Sequence, residues 1–127
     1  MSQILVFRVE HPDDGLGPYM SPKFPKDTAI KLRDAHNTSR HPGVNRVLRG
    51  AGVIDNCYAK VPEEIHSGCD SLETLDAWFE DFWEDFKEAG FRIYKYIVRD
   101  ESCIKGTYGQ IVFDMPSAER LVDMEIV

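Results

Sequence analysis

Cysteine is scarce and unpaired in this 127-residue chain: Cys57, Cys69 and Cys103 are odd in number and show no C-x-x-C spacing. That excludes a disulfide scaffold. No long apolar run is present either, since the first one, Ile4 to Phe7, is closed by Arg8 and lacks a basic lead-in or cleavage site. The expectation is therefore a soluble cytoplasmic protein with no membrane segment. Basic charge is also in deficit, with 15 Lys and Arg against 22 Asp and Glu for a formal net charge of −7. Direct nucleic-acid binding, which needs basic side chains to replace counterions along phosphates, is not expected. H-E-x-x-H, G-x-S-x-G, a Walker loop, G-x-G-x-x-G and internal repeats are all absent, so no specific catalytic motif points to a reaction. His36 with His41, or His66 with Cys69, carry zinc-type donors, but their spacing matches no metal framework and no metal site is expected.

What is present is enough to build a core. A hydrophobic fraction of 43% with 11% aromatics can offset the entropy of ordering, and the length suits one domain. The chain is organised around Asp70 to Val98. Leu72, Leu75, Trp78, Phe79, Phe82, Trp83, Phe86 and Ala89 recur at steps of three and four, which predicts one long amphipathic helix over 71–89. Asp70 or Ser71 caps its start, Glu73 takes a capping-box position, and Gly90 supplies the left-handed stop. Branched and aromatic runs predict strands near 3–10, 91–98 and 108–115, the last two as antiparallel neighbours. Shorter helices are expected from Asp27 or Thr28 to Ala35, in one or two turns within 44–52, and from Ser117 to Met124. A short strand is expected near Cys57 to Val61, an extended path from Met20 to Pro25, and a turn from Asp100 to Gly106. The fold class is thus α+β, a single domain with a mixed or antiparallel sheet covered by the long helix and shorter ones.

Charge is unevenly placed. Between positions 23 and 49, Lys23, Lys26, Lys31, Arg33, Arg40, Arg46 and Arg49 face only Asp27 and Asp34, a net +5 that leaves −12 elsewhere. Attraction between the two parts of the fold explains this, and an anionic ligand is the other reading. Arg8 shares a strand face with Ile4 and Val6, so alternation directs a guanidinium toward the covered side near the strand's end, where it is either paired with a carboxylate at the exposed end of the strand or a ligand anchor at the lip of a cleft. On the back of the main helix, Glu73, Asp76, Glu80, Asp81, Glu84, Asp85 and Glu88 meet only Lys87. Such a one-sign face is solvated, or it recognises a basic protein surface.

FRVEHPDDGLGPY, SGCDSLETLDAWF, AGFRIYKYIV and YGQIVFD, in that order, resemble a pattern of small bacteriophage and bacterial proteins. Their order also resembles a minimal ADP-ribosyltransferase fold, which sets an Arg on its first strand and a Ser and a Glu on later ones. The second resemblance implies that Arg8 holds the phosphates of NAD and that Ser67, in a turn ahead of the main helix, orients the nicotinamide ribose. Gln110 stands where the catalytic Glu is expected. A neutral amide cannot stabilise the cationic sugar as nicotinamide leaves, so Glu101 or Asp114 would have to supply the charge. The phage resemblance implies an accessory protein that inhibits host or defence machinery through its acidic face, without catalysis or a bound cofactor.

Overall fold

In the computed structural model, residues 2–36, 47, 65–106 and 109–126 are described. Six antiparallel strands form one sheet: β1 (Gln3–Glu10), β2 (Ile65–Cys69), β3 (Arg92–Arg99), β4 (Cys103–Lys105), β5 (Gln110–Asp114) and β6 (Glu119–Glu125), in the order β4-β5-β2-β1-β3-β6. β1 and β3 are apolar on both faces and lie inside the sheet, paired from Gln3↔Arg99 to Glu10↔Arg92, as continuous apolar strands require. Three helices are described: α1 (Lys26–Ala35), α2 (Leu72–Trp78) and α3 (Trp83–Ala89). They bring Leu32, Leu75, Phe79 and Phe86 against Phe7, Val9, Cys69 and Phe91 on one sheet face. The other face carries Val6, Tyr94, Tyr96, Val98, Ile111 and Phe113. The α+β class with an antiparallel sheet is as the patterning predicts, and no helix among the described residues is long and apolar enough to cross a membrane.

The long helix is two. Ser71 does cap the start, its side chain accepting from the Thr74 N–H, and Gly90 does close the end at φ +87°. Between them the chain breaks over 79–82, where Phe82 N–H donates to the Phe79 carbonyl at 3.0 Å and Asp81 adopts φ +75°. The apolar stripe survives the break because the two short helices fill one core. Phe79 and Phe86 are buried with their rings 5.0 Å apart, whereas Trp78, Phe82 and Trp83 are half-buried and Leu72 is exposed.

Other expectations are corrected by the sheet. Ser117 to Met124 is not helical: a turn at Met115–Ser117 leads into β6, which pairs with β3 from Arg92↔Glu125 to Ile97↔Glu119. The ladder offered by β3 outweighs the weak local helix preference. β3 and β5 are not neighbours, since β2 and β1 lie between them. Ser67 sits within β2 rather than in a turn, and Asp100–Gly106 contains the short strand β4. Residues 17–24 form turns instead of an extended path, with Ser21 N–H donating to the Gly17 carbonyl at 2.9 Å. α1 begins at Lys26 behind Pro25, with no side-chain cap. Proline pre-sets the entry dihedral there. Of the helical turns expected within 44–52 only Val47 is described, and it is helical; His41, Arg40, Arg46, Arg49, Cys57 and the strand near Cys57 to Val61 lie outside the described residues.

Candidate functional site

Two places collect the residues singled out by sequence. The first lies where β1 and β2 part. Among the described residues their one register pair is Phe7↔Cys69, and beyond it a cavity of about 50 Å³ is bordered by Arg8, Gly17, Tyr19, Ser67, Cys69 and Trp78. Arg8 is buried on the face that also holds Val6 and Glu10, as alternation predicts. Its Nη1 lies 3.1 Å from Glu10 Oε2, and the same carboxylate oxygen accepts from the Tyr96 hydroxyl at 2.7 Å. Burial holds the guanidinium below its ordinary value, against the raising influence of Glu10 and Tyr96, and burial with the Glu10 contact pushes the Tyr96 phenol up. Arg8 is paired with a carboxylate, but the pair is buried inside the protein rather than set at an exposed strand end. Glu10 and Tyr96 were missed as its partners, although Glu10 is two residues along the same strand face.

Backbone closeness shapes this spot. A Cβ on Gly68 would stand 2.8 Å from Arg8 Cγ and 2.5 Å from Val6 Cγ1, so only glycine lets β2 approach there. Ser67 and Cys69 alternate with Gly68, which puts Cys69 in the helix-side core. The cavity brings Arg8 and Ser67 to one place from opposite sheet faces. Gln110 pairs with Cys69 and is buried, but it does not border the cavity, and neither do Glu101 and Asp114. Asp114 accepts from the Ser117 hydroxyl at 2.9 Å instead. A space of about 50 Å³ holds one or two waters at about 30 Å³ each; ligand sites start near roughly 300 Å³. The thiol and the phenol that border it stay protonated at neutral pH. Burial, reinforced by the Asp70 charge, pushes the Cys69 thiol up to about 12, so it is not a ready nucleophile. Burial also raises the Tyr19 phenol, which accepts from Trp78 Nε1–H at 2.9 Å and contacts His36 Nδ1.

The second place is the acidic surface. Glu73 and Asp76 lie on α2, Glu80 and Asp81 in the break, and Glu84, Asp85 and Glu88 on α3; all are exposed except the half-buried Asp85. Among the described residues none has a basic side chain within 4.0 Å, and the ion pairs lie elsewhere, as Arg8–Glu10, Lys23–Asp13 and Arg92 with Asp123 and Glu125. Glu73, Glu84 and Asp85 occupy first helical turns, where the macrodipole favours a carboxylate. Glu88 gains nothing of that kind and repels Glu84 one turn away, at about 0.2–0.5 kcal/mol. The break turns the predicted straight acidic face into two short ones meeting at Asp81. Among the described cations of the basic stretch, none lies within 4.0 Å of these carboxylates: Lys23 reaches Asp13 at 3.6 Å and Arg33 donates to the Tyr19 carbonyl at 2.7 Å.

Over residues 1–127 the chain matches the family described as Bacteriophage T4 Y00F protein, and it belongs to that family. The phage resemblance is borne out by this match, which carries no ADP-ribosyltransferase assignment. No curated protein and no solved structure matches the chain.

Proposed function

We propose that this member of the bacteriophage T4 Y00F family is an accessory protein that captures a basic surface on a host or defence protein inside the cell, without catalysis. The observation that carries this reading is the acidic surface of α2, the break and α3, which has no cation of its own within 4.0 Å among the described residues. Uncompensated like charge lowers the stability of the fold that bears it, whereas across an interface it steers a basic partner and suppresses acidic ones. The small cavity at Arg8 and its protonated lining favour binding over chemistry.

The test is affinity capture from host lysate with the wild-type protein and with a variant in which Glu73, Asp76, Glu80 and Glu84 are changed to Lys. These side chains are exposed, so circular dichroism should be unchanged. A basic partner that is retained by the wild type, released by salt and lost with the variant supports the reading; equal capture by both contradicts it.

One observation favours a second reading, an ADP-ribosyltransferase-like domain that binds NAD: Arg8 and Ser67 border the same cavity. That cavity would have to open several-fold to admit a dinucleotide, from about 50 Å³ to at least roughly 300 Å³. Titration calorimetry with NAD decides it. Heat that disappears in Arg8→Met supports this reading, and no heat refutes it.

A further inference from the structure

We infer that the outer edge of β6 accepts an extended segment of a partner protein in which basic and apolar residues alternate. The two ends of the sheet are unequal. β4 has three residues, a length that blunts an edge, whereas β6 has seven, six of them exposed, and contains no proline. Its inner edge pairs with β3, and among the described residues no backbone hydrogen bond leaves its outer edge. Such an edge offers a ready row of donors and acceptors.

Side chains on the two faces of β6 define what fits. Between Val122 and Glu125 the ladder to β3 is regular, while Leu121 bulges between the Lys95↔Val122 and Tyr96↔Arg120 pairs. Val122 and Met124 share the helix-side face with Lys95 and Ile93; Val122 is 49% exposed and Leu121 44%. Asp123 and Glu125 lie on the opposite face, where Arg92 holds them at 2.7 and 3.8 Å yet leaves them half or more exposed. Arg120 is folded back over the Tyr94 ring at 5.1 Å. An open groove of about 290 Å³, lined by Pro12, Tyr94, Arg120, Leu121, Val122 and Asp123, lies over the sheet face on the β3 side of the strand. An added strand would therefore set apolar side chains against Val122 and Met124 and cationic ones against Asp123 and Glu125, which is an alternation of period two.

A second copy of the chain does not meet this requirement. In a two-fold antiparallel pairing, centring on Arg120 opposes Arg120 to itself, and centring on Leu121 sets Glu119 against Asp123. Centres at Val122, Asp123 and Met124 oppose Glu119 to Glu125, Asp123 to itself, and Asp123 to Glu125. Like charges face each other in every register, which is destabilising. The edge thus disfavours self-association and favours a foreign basic strand.

This inference is independent of the helical surface, and one experiment separates them. The full chain is mixed with an alternating Lys-Val heptapeptide, with a Glu-Val heptapeptide, and with the Lys-Val peptide carrying a central proline, and amide hydrogen exchange is read at each residue. Slowing of about tenfold at amides within 119–125 is expected with Lys-Val alone, with loss of most of it in Val122→Lys. No slowing there, slowing confined to 72–89, or equal slowing by the proline peptide would overturn the inference; the second of these would leave the acidic helical surface standing by itself.

Discussion

Gly68→Ala probes the junction on which the Arg8 cavity depends. The added Cβ would meet Val6 Cγ1 at 2.5 Å, the Phe7 carbonyl oxygen at 2.7 Å and Arg8 Cγ at 2.8 Å, all inside normal contact. Val6 is wholly buried, and the Phe7 oxygen is backbone, so neither swings away as an exposed side chain would. Overpacking of this kind costs about 3 kcal/mol at the upper end of its usual range, and the stiffer unfolded chain returns about 0.4–1 kcal/mol. A net loss of about 2 kcal/mol corresponds to a fall in Tm of roughly 6–8 °C for a chain of this size. Urea denaturation and thermal unfolding monitored by circular dichroism read both quantities. Because the clash is shared with Val6, the Val6→Ala, Gly68→Ala pair should show favourable coupling of at least about 0.5 kcal/mol in a double-mutant cycle. Stability within about 0.5 kcal/mol of wild type, without coupling, would refute the tight β1–β2 junction and mean that the cavity beside Arg8 can widen.

Other outcomes follow from the same contacts. Phe86→Ala removes a ring with no exposed surface, packed on Phe24, Phe79, Trp83 and Phe91, and should cost about 3–5 kcal/mol in urea denaturation, with the half-buried Phe82→Ala costing less. At Asp81, whose φ is +75°, a β-branched Val should cost about 1–2 kcal/mol while Gly stays within about 0.5 kcal/mol. Folding raises the Cys69 pKa from 9.0 to about 12, so the native state retains a proton that the unfolded state loses first. This thiol then favours folding fully below about pH 9 and less as pH rises from about 9 to 12. Iodoacetamide should correspondingly label Cys69 only after unfolding at neutral pH, and rapid native labelling followed by peptide mapping would contradict its burial.

The strands β1, β3 and β5 were legible because each is a run of branched and aromatic residues, and the Ser71 cap and Gly90 stop are local signals that the chain uses as written. The break at 79–82 was not, because Phe79, Phe82, Trp83 and Phe86 keep helical spacing across it and only the dihedral of Asp81 gives it away. β2 was hidden by its composition: Ile65–Cys69 holds Ser67 and Gly68, small residues that read as a turn but are demanded by the close approach of β1. β6 is not legible in the sequence because Ala118 to Val122 has no strong local strand signal, and its conformation is set by pairing to β3. At the candidate sites, exposure of the acidic side chains followed directly from the apolar stripe. The pairing of Arg8 with Glu10 was half-visible in strand alternation, whereas its closure by Tyr96 depends on a residue 86 positions away from Glu10.

The central claim, that the acid-rich α2–α3 surface meets a basic partner, is tested most directly by hydrogen exchange on the complex with the protein captured from host lysate. The account predicts slowed amide exchange within 72–89 that fades as salt is raised, with loss of binding when Glu73, Asp76, Glu80 and Glu84 are reversed to Lys. Unchanged exchange at 72–89 in a complex that forms equally well with the reversed variant would contradict it.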